Sequence, residues 1–256
     1  MKLWISYIIL IIFTIISFTF YFNVQDTSWI KDFSLNFSTE VIGILLTVFL
    51  IDIIIKMKEE RERIKRQEIG LKQLKVNLLN HLHLLFNIYK ASVESKPNDL
   101  NMKASHFFDE NYYQEIKYFD FSKNAPVTSN INWGYYLASK NEKFKTGLNK
   151  TIDKYGIYLD SDGIDLMEKL INSNFINFIS KFPAIYKIDK RDGINRNYNF
   201  FSGGDVTNIV RNYIDNFIEL LEFYNDKVSE ENKIELEKHL WRNDVAPKIG
   251  SARKKI

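Results

Sequence analysis

The residues best suited to holding a ligand lie between Lys187 and Asp205, in the stretch KIDKRDGINRNYNFFSGGD. Lys187, Lys190, Arg191 and Arg196 supply cations, while Tyr198, Phe200 and Phe201 supply π faces on which unpaired bases can stack. Gly203-Gly204 allows a sharp turn or a close backbone approach. Together these are the parts of a single-stranded nucleic-acid site, with salt-dependent attraction to phosphate and sequence-tolerant stacking. The alternative is an ordered connector whose aromatics are buried. Further cations at Lys140, Lys143, Lys145, Lys150 and Lys154 read either as a phosphate-tracking helix face or as solvated surface.

Reaction chemistry has no comparable signature. The chain contains no Cys, which excludes thiolate nucleophiles, thiolate metal ligands and disulfides. The motifs GxxxxGK, GxGxxG, HExxH and GxSxG are absent from the sequence. The acidic pairs Asp109-Glu110 and Glu230-Glu231 lack a partnered His. His81 and His83 are two residues apart, so on a helix they point to different faces and do not share one ion. Asp160-Ser161-Asp162-Gly163-Ile164-Asp165 has the look of a calcium loop, but its Gly comes too early and Ile171 stands where a bidentate Glu is required. No catalytic residue, metal or cofactor is assigned, and the chain reads as a binding protein rather than an enzyme.

The elements that must carry the loop are helical. Aromatics make up 15% of the chain while Pro (4) and Gly (10) are scarce, a balance that favours long helices over a turn-rich β fold. The expected fold is mainly α, with an N-terminal transmembrane hairpin at residues 1–56, a charged juxtamembrane helical stalk at 57–95, and a cytoplasmic helical domain with a basic tail at 96–256. Leu3 to Phe22 carries no charge and is long enough for a hydrocarbon core of ~30 Å. Its Phe-Tyr-Phe-Asn end is unlike a signal-peptidase site. A connector from Asn23 to Phe37, with Trp29 and Phe33 as interfacial anchors, leads to a second span at 39–56 with Ser38 and Thr39 as N-cap candidates and Glu40 in the first turn. Nine Lys/Arg stand against four Glu between Lys56 and Lys90, whereas the counts are equal from Ala91 onward, at twenty-four each. That basic excess, including Lys56, Lys58, Arg61 and Arg63, places both termini in the cytoplasm at the inner or plasma membrane, facing anionic lipid.

Two acids lie within the apolar run. An intramembrane carboxylate is a functional candidate by default, but Asp52 is one turn from Lys56 and close to the cytoplasmic border, so an ion pair explains it as well. Glu40, Gly43 and Thr47 share a face suited to close packing against the first span or a second copy. The segment STEVIGILLTVFLID (Ser38 to Asp52), followed at once by a Glu/Arg-rich helix, resembles the second span of two-span bacterial membrane proteins, in particular membrane-anchored abortive-infection proteins of the AbiP type. The resemblance covers the anchor, the general length and the Asn/Lys/Ile-rich composition, and carries over no functional residue. It implies phage defence and a soluble part that binds nucleic acid. A membrane effector or pore-former triggered through its cytoplasmic domain, and a tethered interaction scaffold, are the other readings.

Beyond the anchor, Met57, Ile64, Leu71, Leu78 and Leu85 recur every seven residues, with Leu74 and Ile88 in a companion position that Glu60, Gln67 and His81 leave unfilled. This predicts a solvated stalk entering a core, or else a coiled-coil dimer. Helices are expected over Trp133–Tyr155, from the acidic turn at Asp160 to Phe182 before Pro183, over 206–227, and from Ser229 through Trp241. A mobile basic arm is expected from Pro247 to Lys255.

Overall fold

The computed structural model describes residues 2–23, 29–97, 104–199 and 206–254. It is mainly α: regular structure among the described residues is helix and short 3-10 turns, joined by isolated β-bridges. The chain divides into two compact units, Met1–Lys65 and Arg66–Ile256.

In the first unit, α1 (Lys2–Asn23) packs against the start of α2 (Trp29–Ser92). Small side chains make that contact: Ser17, Ser34, Ser38 and Val41 are buried, and Ser17 Oγ donates to the Ser34 carbonyl at 2.9 Å. The connector expected from Asn23 to Phe37 is therefore shorter, because α2 already begins at Trp29. Ser38 and Thr39 do not cap a helix. Their hydroxyls donate to the carbonyls of Ser34 (2.7 Å) and Leu35 (2.7 Å), a bond that lets Ser and Thr sit inside a helix. With no Pro or Gly before Gly43, nothing interrupts the first turns. Within Lys31–Ser92 lies a stretch long and apolar enough, by length and composition, to cross a membrane; its mean hydropathy is 2.2 and 11% of it is buried.

In the second unit the same helix turns core-forming. Leu71, Leu74, Leu78, Leu82 and Leu85 are buried while Met57 and Ile64 stay exposed, so the heptad seam fills only after Leu71. His81 fills the position that looked vacant in the heptad, with its ring stacked on Phe144 at 3.9 Å and edge-on to Phe217 at 5.1 Å. Those two rings belong to α5 (Trp133–Tyr155) and α8 (Val206–Lys227), which flank α2 and match the expected spans. Asn132 caps α5, its Oδ1 accepting from the Tyr135 amide at 2.9 Å. Trp133, Leu137, Phe144 and Leu148 form its buried face. Two short helices, α3 (Ala104–Phe107) and α4 (Glu110–Glu115), bring Phe107, Phe108, Tyr112 and Tyr113 into the core.

The helix expected from the acidic turn to Phe182 is two helices, α6 (Ser161–Ile171) and α7 (Asn174–Asp192). Ser173 breaks the run and caps α7 by accepting from the Ile176 amide at 3.3 Å. Pro183 lies inside α7 and does not end it. The turn beyond Pro183 is held by Tyr186, stacked on Phe182 at 5.6 Å, and by the buried Asp189. At Gly134 an added Cβ would strike the Phe182 ring, so α5 and α7 approach as closely as they do only because that position has no side chain.

After α8 the expected final helix is absent; 3-10 turns at Glu230–Asn232 and Lys238–Trp241 flank an extended run. Nor is the tail a mobile arm as far as Lys254. The Gly250 and Ala252 amides donate to the carbonyls of Lys90 and Ala91, both at 3.0 Å, and the Lys254 amide donates to Tyr118 at 2.9 Å. Arg253 Nη1 donates to the Ser92 carbonyl at 2.9 Å, and its guanidinium pairs with Glu94 at 2.5 Å. Lys90 is buried, and its ammonium donates to three carbonyls, Leu240 (2.8 Å), Arg242 (3.0 Å) and Val245 (2.7 Å). Basic residues that looked like free cations are spent on backbone oxygens that α2 and the tail would otherwise leave unpaired.

Candidate functional site

The loop singled out by its cations and aromatics begins where α7 ends. Gly193, at φ 67°, supplies the left-handed residue that closes the helix, and its amide returns to the Asp189 carbonyl. The chain then folds back over α7. Asp189 is the pivot: 1% exposed, it accepts two hydrogen bonds from Arg196 (2.6 and 3.1 Å) and one from the Tyr198 hydroxyl (2.9 Å). The Arg196 guanidinium holds the Asp189 carboxyl below the ordinary carboxylate range, and Asp189 raises Arg196 in turn. Burial, with Asp189 adding to it, pushes the Tyr198 hydroxyl up to about 12.

Tyr198 also packs its ring against Phe182 (5.6 Å) and Tyr186 (5.1 Å). Its carbonyl accepts from the Phe121 amide at 2.8 Å, Asn199 bridges to Asp120, and Lys254 Nζ donates to Asn197 at 3.0 Å. The loop is thus latched to α7, to residues 119–121 and to the tail. Arg196 and Tyr198 are committed to Asp189, although Arg196 keeps 52% of its side chain exposed. Phe200, Phe201 and the two glycines after them lie outside the described residues.

The remaining candidate cations stay on the surface. Lys187 and Lys190 are exposed, Lys190 lying over the Tyr186 ring at 5.5 Å, and Arg191 pairs with Asp192 at 2.7 Å in an exposed contact of little energetic weight. The structure therefore gathers Lys187, Lys190, Arg191 and the open edge of Arg196 at one end of α7. Elsewhere, Phe108, Asp215, Asn216, Ile218, Glu219 and Glu222 line an acidic groove of about 360 Å³, in which burial raises the Asp215 carboxyl. Of the lysines on α5, Lys140, Lys143, Lys150 and Lys154 are exposed, Lys140 lying over the Tyr136 ring at 5.4 Å, and Lys145 is half-buried.

The membrane candidates are placed just as plainly. Trp29 is 75% exposed and begins an aromatic ladder with Phe33 (6.5 Å) and Phe37, which stacks on Phe33 at 6.1 Å. Asp52 and Lys56 pair at 2.7 Å, and Arg63 pairs with Glu60 at 2.7 Å. Lys58, Arg61 and Glu40 are exposed. His81 is not oriented toward a metal: its Nε2 meets the Tyr213 hydroxyl at 2.6 Å, and burial drives its pKa down to about 3. Among the described residues no three His, Asp or Glu gather into a group that could hold a metal.

Sequence reasoning missed Asp189, Lys90 and Arg253 as organising charges. A charge in KIDKRD or in a tail of mixed basic residues carries no local mark of burial; only its distant partners distinguish it. No protein-family model matches the chain, nor does any curated protein or solved structure.

Proposed function

We propose that the chain is a membrane-tethered binding protein whose Arg66–Ile256 unit faces the cytoplasm and takes an anionic polymer, single-stranded nucleic acid first, at the basic end of α7. The observation that carries the tether is the split personality of α2. Ile44, Leu46, Phe49, Leu50, Ile51, Ile54 and Ile55 are large, apolar and exposed on a continuous helix whose later turns, Leu74 to Leu85, are core. Apolar side chains in that density belong in lipid, and the cations at Lys56, Lys58 and Arg61 belong beside its cytoplasmic head groups. The binding reading is supported by Lys187, Lys190 and Arg191, which remain solvated while the loop beneath them is fixed by Asp189. Cations carried on an ordered helix end attract phosphate without the backbone first having to order itself. The resemblance of the anchor to abortive-infection proteins supplies phage defence as the setting.

The test is fluorescence anisotropy of a labelled single-stranded oligonucleotide with the full chain in lipid nanodiscs, across a salt series. Wild-type affinity should fall steeply with salt. Replacing Lys187, Lys190 and Arg191 together by Gln should flatten the log–log slope by roughly 2, since each phosphate contact on a single strand contributes ~0.7. An unchanged slope and affinity remove this surface from the account. A plaque assay with and without the gene tests the setting independently.

A further inference from the structure

Two faces of α2 in the first unit are distinct. Ser34, Ser38 and Val41 are buried against α1, and Ser34 accepts from Ser17 across that contact. Asn36, Glu40, Gly43 and Thr47 are all exposed, and a Cβ built on Gly43 meets nothing within 4 Å. At 3.6 residues per turn the two sets point roughly 155° apart, so the polar, notched stripe lies on the side of α2 away from α1. If α2 spans the bilayer as proposed above, Glu40 lies about 9 Å of helix beyond Ser34, which meets Ser17 about 7 Å short of the end of the uncharged run at Phe22, so its carboxylate stands well inside a core of ~30 Å. Hydrocarbon offers a carboxylate nothing, and ionisable groups at such depth face a protein neighbour. The first span is already accounted for on the opposite side, and among the described residues no other helix of this chain has the length and apolar composition to supply that neighbour.

We infer that the stripe is where a second copy of the chain packs, helix against helix and parallel. The stripe is complementary to itself. Asn36 carries amide donors one turn before the Glu40 acceptor, so in a twofold pair Asn36 of each copy reaches Glu40 of the other, and the contact is made twice. The open notch at Gly43 lets the two backbones approach. The Thr47 hydroxyl, satisfied by its own Gly43 carbonyl at 2.8 Å, asks for no partner and leaves a small side chain at the crossing.

The absence of native Cys makes the test direct. Single cysteines at Thr47→Cys and, facing α1, Leu45→Cys are introduced into the full chain and oxidised in native membranes, and the disulfide-linked dimer is measured. Thr47→Cys should cross-link strongly and Leu45→Cys weakly. Adding Gly43→Ile or Glu40→Val to Thr47→Cys should reduce the linked fraction about tenfold, the effect of ~1.4 kcal/mol of lost association. Equal cross-linking at positions 47 and 45, or a linked fraction indifferent to Gly43→Ile, overturns the inference when the chain still resists alkaline carbonate extraction. Release by carbonate instead refutes the membrane reading, and the inference falls with it.

Discussion

Acid should unfold the Arg66–Ile256 unit partly through one imidazole. His81 is 2% exposed, stacked on Phe144 and edge-on to Phe217, with Tyr213 its hydrogen-bond partner and Nδ1 making no hydrogen bond. Burial lowers its pKa from 6.5 to about 3, so the folded state refuses a proton that the unfolded chain accepts. For a base whose folded pKa is depressed, the native state keeps its full stability above 6.5 and loses it as pH falls, until the loss saturates below about 3. Linkage gives a loss of about 2 kcal/mol at pH 5 and about 5 kcal/mol at saturation. Replacing the pair, His81→Phe with Tyr213→Phe, removes both the titration and the polar atoms that need each other, and should cost little at pH 8. Urea unfolding of the full chain in detergent, with Trp4 and Trp29 changed to Phe so that the buried Trp133 and Trp241 report, measures the difference. Wild type should lose about 2 kcal/mol relative to the double variant between pH 8 and pH 5. Parallel pH curves would refute the reasoning, because they would show that His81 protonates as readily folded as unfolded.

Three other substitutions probe the frame around the candidate site. Lys90→Met leaves the carbonyls of Leu240, Arg242 and Val245 without their donor and should destabilise by about 3 kcal/mol or more, with new tryptic cleavage after Lys248 as a second readout. Asp189→Asn removes the charge that Arg196 and Tyr198 grip, and trypsin should then cut after Arg196 several-fold faster. Gly134→Ala drives a methyl into the Phe182 ring and should cost about 1–3 kcal/mol by urea titration, whereas Ala at the exposed Gly43 should leave the second unit's stability unchanged.

The parts of this fold that were legible in the sequence are those written locally. The span of α5 at Trp133–Tyr155 was readable from the sequence, and the face of α8 through Tyr213, Phe217 and Tyr224 is equally local, whereas the Asn132 cap shows only in the structure. The break at Ser173 was overshadowed by Pro183, which looks like a terminus but is tolerated because α7 is packed on both sides of it. His81 looked like a gap in a heptad because the pattern counts polarity and cannot see that Phe144 and Tyr213 will meet the ring. The loop after α7 was found by composition, yet composition could not assign Arg196 and Tyr198 to Asp189, since that assignment depends on the chain reversing at Gly193. Of the candidate surface, the cations were readable and their internal duties were not.

The docking of the tail has a bearing on how this protein is made. Arg253 bonds a carbonyl 161 positions earlier in the chain, and the segment it joins forms one wall over the end of α2 and residues 118–120. During synthesis the end of α2 at Lys90–Ser92 emerges early, and its carbonyls meet the Gly250, Ala252 and Arg253 donors only once residue 253 has left the ribosome. The nascent chain therefore carries those carbonyls without their tail partners through most of its translation. A ribosome stalled just short of residue 250 should display a protease-sensitive end of α2, and extension past residue 253 should protect it.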